Sequence, residues 1–297
     1  MRVFVTGASG WIGSHAVDEL LAAGHQVLGL ARSDASAAAL AAEGAEVLRG
    51  DLDDLDVLRR GAESTDGTVH LANKHDFAHP EVSNAAERAA VQAIGDVLVG
   101  SDRPLLIAGG LAGFGLERPV TETDVNPAVG PDSPRGGAER LVLGLAGRGV
   151  RPLVARFAPT VHGAGDRGFV AALVATARAR GAAGYVGDGS HRWAAVHVTD
   201  AARAVRLAVE GAPAGSVLHV VAEEGVPTRD IAAAIGRGLD LPVDAVDPAR
   251  YAAELGWIGS FFGQDVSATN DRTRALLGWE PTGPTLADDL AGGSYFA

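Results

Sequence analysis

The chain has no cysteine, one lysine (Lys74) and three tyrosines in 297 residues. Without cysteine there can be no disulfide, no thiolate nucleophile and no cysteine-ligated zinc. No stretch reaches the 18 uninterrupted apolar residues of a membrane span, and the opening MRVFVTG meets a glycine too soon for a secretory signal. Positive charge is in deficit, with 25 Lys and Arg against 37 Asp and Glu, a formal net charge of −12. That balance argues against nucleic acid as a partner, and no like-charged run offers a membrane-surface patch. A soluble, cytoplasmic protein acting on a small molecule is expected. Such a chain can still hold an anion, because backbone N–H groups and a few arginines do so locally.

What is present is an ordinary globular composition, 47% hydrophobic and 21% charged, arranged as alternating strands and helices. Apolar runs at 2–6, 26–31, 46–52, 68–73, 104–110 and 151–159 read as strands. Helical spacing covers 11–24, 33–44 and 81–100 between them. Alternation of this kind implies right-handed βαβ units and a doubly wound parallel sheet, an α/β fold. The segment 111–134 is rich in Gly, Pro and Asp and reads as site-forming loops. Beyond residue 160 the pattern loosens. Helices are expected at 168–181, 199–211 and 226–239, a strand at 216–222, and a GDG turn between two short strands within 184–198. These readings divide the chain into a nucleotide-binding core over 1–160 and a smaller C-terminal substrate lobe over 161–297, with 199–222 returning to the core.

TGASGWIG places Gly7, Gly10 and Gly13 directly between the first strand and the first helix. Glycines there permit a tight turn and close approach of backbone to a pyrophosphate, which the helix N-terminus then attracts. Ser9, Trp11 and Ile12 lie in the same turn and are expected to present their N–H groups. An acid at the end of the second strand would bind the ribose of NAD, but this strand ends in Arg32 and Ser33. A guanidinium and a hydroxyl match a 2′-phosphate, so NADP(H) is the expected cofactor. Asp51 and Leu52 of GDLDD are expected at the adenine. Leu71, Ala72 and Asn73 of HLAN, with Ala108, are expected beside the nicotinamide ribose.

With RFAPTVHG (156–163) and VGDGSHRWAAVHVTDAARAV (186–205), these motifs resemble the extended, epimerase/dehydratase-like short-chain dehydrogenase/reductase superfamily over most of the chain. The resemblance implies a Rossmann-type sheet with a smaller substrate-binding lobe. It also implies that Phe157, Ala158, Pro159 and Thr160 line the nicotinamide side, with His162 close by. That family's chemistry uses a Ser after the fifth strand and a Tyr with a Lys four residues on, to polarise and protonate the carbonyl oxygen. Here Gly109 and Gly110 stand for the Ser, and Arg135 and Glu139 for the Tyr and Lys. No Tyr-x-x-x-Lys occurs anywhere in the chain. The chain is therefore similar to an atypical member, and within that group to ketoreductases that tailor aromatic polyketides such as angucyclinones.

The expected function is hydride transfer from NADPH to a ketone of an aromatic substrate. The proton source is open between Lys74, His75 or His162, water, and an acid carried by the substrate. Alternatives are an NADP(H)-sensing or scaffold protein, and a sugar-nucleotide epimerase or dehydratase, whose first oxidation needs the missing Tyr. Phe114, Tyr185 and Trp193 stand as aromatic walls of a substrate site or as core, as do Phe261 and Phe262. His75, Asp76 and His79 lack a recognised ligand spacing, so no metal is expected. A monomer is favoured over a homodimer, because Gly144 and Gly147 weaken one of the helices through which classical relatives pair.

Overall fold

The computed structural model describes residues 1–76 and 79–297. The chain opens β1 (Arg2–Thr6), α1 (Trp11–Ala22), β2 (Gln26–Ala31), α2 (Asp34–Ala42), β3 (Glu46–Arg49) and α3 (Leu55–Glu63). It continues β4 (Gly67–His70), α4 (Pro80–Leu98), β5 (Pro104–Gly110), α5 (Ala138–Leu143) and β6 (Arg151–Phe157). The second half holds β7 (Thr160–His162), α6 (Phe169–Arg180), β8 (Ala183–Val186), β9 (Arg192–His197), α7 (Val198–Gly211) and β10 (Ser216–Val220). Last come β11 (Glu223–Pro227), α8 (Thr228–Leu239), β12 (Val243–Val246), α9 (Tyr251–Phe262), α10 (Asp271–Leu277) and α11 (Leu286–Ala291).

Seven strands make one parallel sheet in the order β10-β6-β5-β4-β1-β2-β3. Strand side chains alternate between faces, so both faces must be apolar for a sheet covered twice. In β1, Val3 and Val5 join the core that includes Val17 and Leu20 of α1 and Val205 and Val209 of α7. Phe4 faces the opposite core, with Leu58 of α3, Val91 and Ile94 of α4 and Val142 of α5. The strand order reverses beside β1. In open sheets of this kind a ligand crevice forms at that switch point, outside the carboxyl ends of the strands.

The second lobe is built on a three-stranded sheet, β11-β9-β7, and a β8-β12 pair. The strands on either side of the GDG turn therefore belong to different sheets. Residues 187–191 lead away from β8, and Thr228 N–H closes on the carbonyl of His191 at 2.8 Å. Trp193 is fully buried and packs edge-on to Phe262 at 5.0 Å, so it belongs to the core of this lobe and is no wall of an open site. A polar latch returns the C-terminal segment to α7: the buried Asp200 carboxylate accepts from Thr282 and Gly283 N–H at 3.0 and 2.7 Å. The Trp279 indole donates to the Asp200 carbonyl at 3.1 Å. Among the described residues no helix is long and apolar enough to cross a membrane.

Removing the Trp193 side chain leaves a cavity that these aromatic neighbours cannot fill. Trp193→Ala is expected to lower unfolding free energy by about 3–5 kcal/mol, read from denaturant titration.

Candidate active site

The glycine turn between β1 and α1 is shaped by close backbone contact. Gly7 has φ 68°, and a Cβ there would lie 2.7 Å from the Ala72 nitrogen. A Cβ on Gly13 would lie 1.9 Å from the Gly7 oxygen. Only glycine permits this approach of helix, turn and β4. Gly10 is the N-cap of α1 and no side chain caps the helix, so its first-turn N–H groups are left for a ligand. The cradle fits a pyrophosphate. Ser9 is exposed and Ile12 half-buried at its rim. The Trp11 indole turns the other way and donates to the Val161 carbonyl at 2.7 Å, tying the cradle to the second lobe.

At the ends of β2 and β3 the exposed Arg32 has no ion pair or hydrogen-bonded side chain among the described residues. Ser33 caps α2, its hydroxyl accepting from Ser36 N–H at 3.2 Å. Arg49, opposite Ala31 in the sheet, is a residue that sequence reasoning missed. Its guanidinium donates to the Ser33 carbonyl at 2.5 Å and pairs with Asp34 at 2.7 Å. Asp34, the acid next to the end of β2, is thus paired with Arg49. Asp51 accepts from Asp53 N–H within its own turn, Leu52 is buried, and Asp54 caps α3.

The end of β4 is held by Thr6 and Glu87. Leu71 N–H donates to the Thr6 carbonyl, and Ala72 N–H to the Thr6 hydroxyl. Asn73 donates through its amide to Glu87 of α4 at 2.9 Å. Glu87 has no exposed surface, and its other oxygen takes Arg135 Nη2 at 2.7 Å. Arg135 sits in a left-handed turn with Gly136 and Gly137, at φ 56°, 59° and 62°. A left-handed non-glycine residue costs roughly 1 kcal/mol. Here the turn is fixed from α4, where Asn84 Oδ1 accepts Arg135 N–H and Arg88 donates to the Gly136 carbonyl.

Glu139 does not replace the lysine as a ligand group. It is buried on α5 and takes Arg156 of β6 at 2.5 Å, with Asn126 on its second oxygen. Gly109 faces this pair, since a Cβ there would lie 3.3 Å from Arg156 Cγ. Gly110 faces open space, and a Cβ there would touch nothing within 4 Å. Ala108 is half-buried beneath them, and the Phe114 ring lies 4.8 Å from the Arg156 guanidinium carbon.

The remaining candidates fall outside this opening or are already engaged. Lys74 pairs with Asp53 at 2.7 Å, on the side of the β3 loop. His162 has no exposed surface and bonds Asp289 of α11 at 2.6 Å, its ring 5.6 Å from that of His197. Nearby, Tyr295 donates to Asp166 at 2.8 Å, and burial pushes both groups' pKa values up. The His162 Nε2 is buried and has no hydrogen-bond partner among the described residues. Phe157, Ala158 and Thr160 are buried and Pro159 is half-exposed. The Thr160 hydroxyl already donates to the Ala194 carbonyl. Tyr185 is half-buried against the lobe core, as is Phe261, while Phe262 is inside it. No group of His, Cys, Asp and Glu that could hold a metal occurs among the described residues.

Residues 3–221 match the model of the NAD-dependent epimerase/dehydratase family. The chain belongs to that family. Its members bind an NAD(P) cofactor, which the glycine cradle and uncapped helix fit. Among relatives, an uncharacterized protein of Schizosaccharomyces pombe is 42% identical over 296 residues, all of both chains. The 4-hydroxy-2-methyl-3-oxo-4-farnesyl-3,4-dihydroquinoline-1-oxide ketoreductase of Stigmatella aurantiaca is 26% identical, covering 94% of this chain and 92% of its own. A UDP-glucose 4-epimerase from Thermotoga maritima shares the fold at TM-score 0.77 and 20% identity, covering 100% and 98%.

Beneath this family member's cleft, His70 bonds Thr6 Oγ1 at 2.8 Å, and its buried Nε2 has no partner among the described residues. Burial pushes the His70 pKa down, and does the same at His219 beside Arg156. Both are neutral when folded but take up a proton near pH 6.5 when unfolded. The unfolded state then binds more protons, so stability is complete above about pH 6.5 and is lost as pH falls through it. Each histidine is expected to contribute a slope of up to about 1.4 kcal/mol per pH unit. Thermal unfolding between pH 7.5 and 5.5 checks this, and His70→Gln is expected to flatten the dependence.

Proposed function

We propose that the chain is an NADPH-dependent ketoreductase that reduces a carbonyl of an aromatic, polyketide-type substrate without a protein tyrosine as acid. The observation that carries this reading is a glycine cradle that fits a dinucleotide, with open space at Gly110, in a chain that has no Tyr-x-x-x-Lys. When bound, the reduced nicotinamide supplies the hydride. The first turn of α1 would hold the pyrophosphate, Arg32 the 2′-phosphate, and the β4 end from Leu71 to Asn73 the ribose side. Glycines at 109 and 110 leave room for a planar ketone next to that edge. The ketoreductase from Stigmatella, whose substrate name describes a ketone on a dihydroquinoline, gives the reaction class support.

Neutralising the alkoxide needs an acid. Lys74 is paired away from the opening, Tyr295 is bonded to Asp166, and His162 is enclosed. A phenol on the substrate, hydrogen-bonded to the ketone, provides a proton already in position. Epimerisation or dehydration begins with oxidation by an ionised tyrosine and has no such group here.

Deuterium at C4 of NADPH is expected in the alcohol formed from aromatic polyketide ketones carrying a neighbouring phenol, read by mass spectrometry. Methylating that phenol is expected to abolish transfer. Tight NADPH binding with no label in any product would point instead to an NADP(H) sensor. Arg32→Ala is expected to weaken NADPH about tenfold or more while leaving NADH nearly unchanged, with Arg49→Gln causing a smaller loss, both by fluorescence titration.

A further inference from the structure

We propose that Arg135 is a substrate-binding and charge-stabilising residue that takes the phenolate oxygen left when the substrate's own phenol has given up its proton. This rests on the ketoreductase reading and assigns the residue at the tyrosine position a different task. An arginine stays protonated in proteins, so it cannot deliver the proton that tyrosine would. It can hold an anion.

The guanidinium is only partly used by the protein. Nη2 donates to Glu87, whose second oxygen is answered by Asn73. Among the described residues neither Nε nor Nη1 has a hydrogen-bond partner, and Nε is buried. Its side chain is 36% exposed, against none for Glu87. Were Arg135 there solely to neutralise Glu87, its remaining donors would be expected to find protein acceptors, because a buried N–H without one is costly. Instead they are left in a turn that α4 pins through Asn84 and Arg88, with left-handed backbone at a non-glycine residue. Its partner Glu87 is tied through Asn73 to the carboxyl end of β4, the edge at which a ligand of this sheet lies.

The chemistry balances. Hydride adds to the ketone carbon, and the carbonyl π pair becomes an alkoxide lone pair. The phenol O–H bond breaks, its proton passes to the alkoxide to give the alcohol, and its electron pair stays on the phenolate oxygen. Nη1–H of Arg135 pairs with that oxygen until a proton from the bulk solution restores the phenol, so the turnover as a whole consumes one solvent proton. The charged and titratable groups that face Arg135 are Glu87 and Arg88 from α4, and His70 and His75 from β4 and its loop. Burial pushes both histidines down, so neither competes as a cation. The Glu139–Arg156 pair lies a helical turn on and is internally neutral.

The test uses 4-nitrophenol, whose anion alone absorbs strongly in the visible, titrated into the whole protein with NADP⁺ present. The bound probe is expected to ionise about one pH unit or more below the free phenol. Arg135→Gln is expected to remove that shift and weaken phenolate binding about tenfold, with NADP⁺ affinity kept. Should Arg135→Gln fold poorly with Glu87 left unpaired, the double variant Glu87→Gln/Arg135→Gln removes both charges and is expected to show the same loss. Arg135→Lys keeps a cation opposite Glu87 and is expected to restore part of the shift. An unshifted probe in the wild-type protein, or an unchanged shift in Arg135→Gln or the double variant, would overturn the proposal. The binding readout needs no turnover, so a wild-type protein that shifts the probe but transfers no deuterium would sink the ketoreductase reading alone.

Discussion

A buried guanidinium on β6, the second strand of the parallel sheet, organises the carboxyl edge beside it. Arg156 of β6 is 1% exposed, and its donors are met by Glu139 of α5, the Asp124 carbonyl and His219 of the neighbouring β10. A buried charge stripped of its partners costs several kcal/mol, so the loop, helix and strand that answer it have one acceptable arrangement. That arrangement draws the first turn of α5 against β6 and requires a small residue at Gly109. It also sets the direction from which the left-handed turn delivers Arg135 to Glu87. Two ion pairs, one sealed and one half-open, therefore stand side by side at the start of α5.

The glycine cradle and the edge at Gly110 are built by different means. Around α1 the free polar groups are backbone N–H groups, and their geometry depends on glycines that let the turn, the helix and β4 touch. Around Arg135 and Gly110 the geometry depends on side-chain charge pairing. The first needs no particular polar side chain, whereas the second rests on matched charges. The Trp11 indole then bonds the cradle to the C-terminal lobe through the Val161 carbonyl.

The six strands from β1 to β6 were legible in the sequence because each is a compact apolar run ended by Gly, Pro or a polar turn. The strands β7, β11 and β12 were not, since β7 follows a proline, β11 opens on two acids, and β12 is mostly exposed and carries no apolar run. The GDG turn was read, but which sheet each flanking strand joins depends on β12 and β11, far along the chain. Within the site, the glycines and Arg32 were visible as a motif. Arg49 and Glu87 were not, because each acts on a residue more than a dozen positions away. Glu87 did leave a trace: it is an acid on the apolar stripe of α4, one turn from Ser83 and Val91, where a charge calls for a partner.

The sealed pair also bears on how such a site can change over evolutionary time. A lysine introduced at 139 would face Arg156 in a buried space, two cations without an acid between them, and a tyrosine at 135 would strand the Glu87 carboxylate. Each single change strands one member of a charge pair, so either pair can be exchanged only by two changes made together, and the two pairs behave as units.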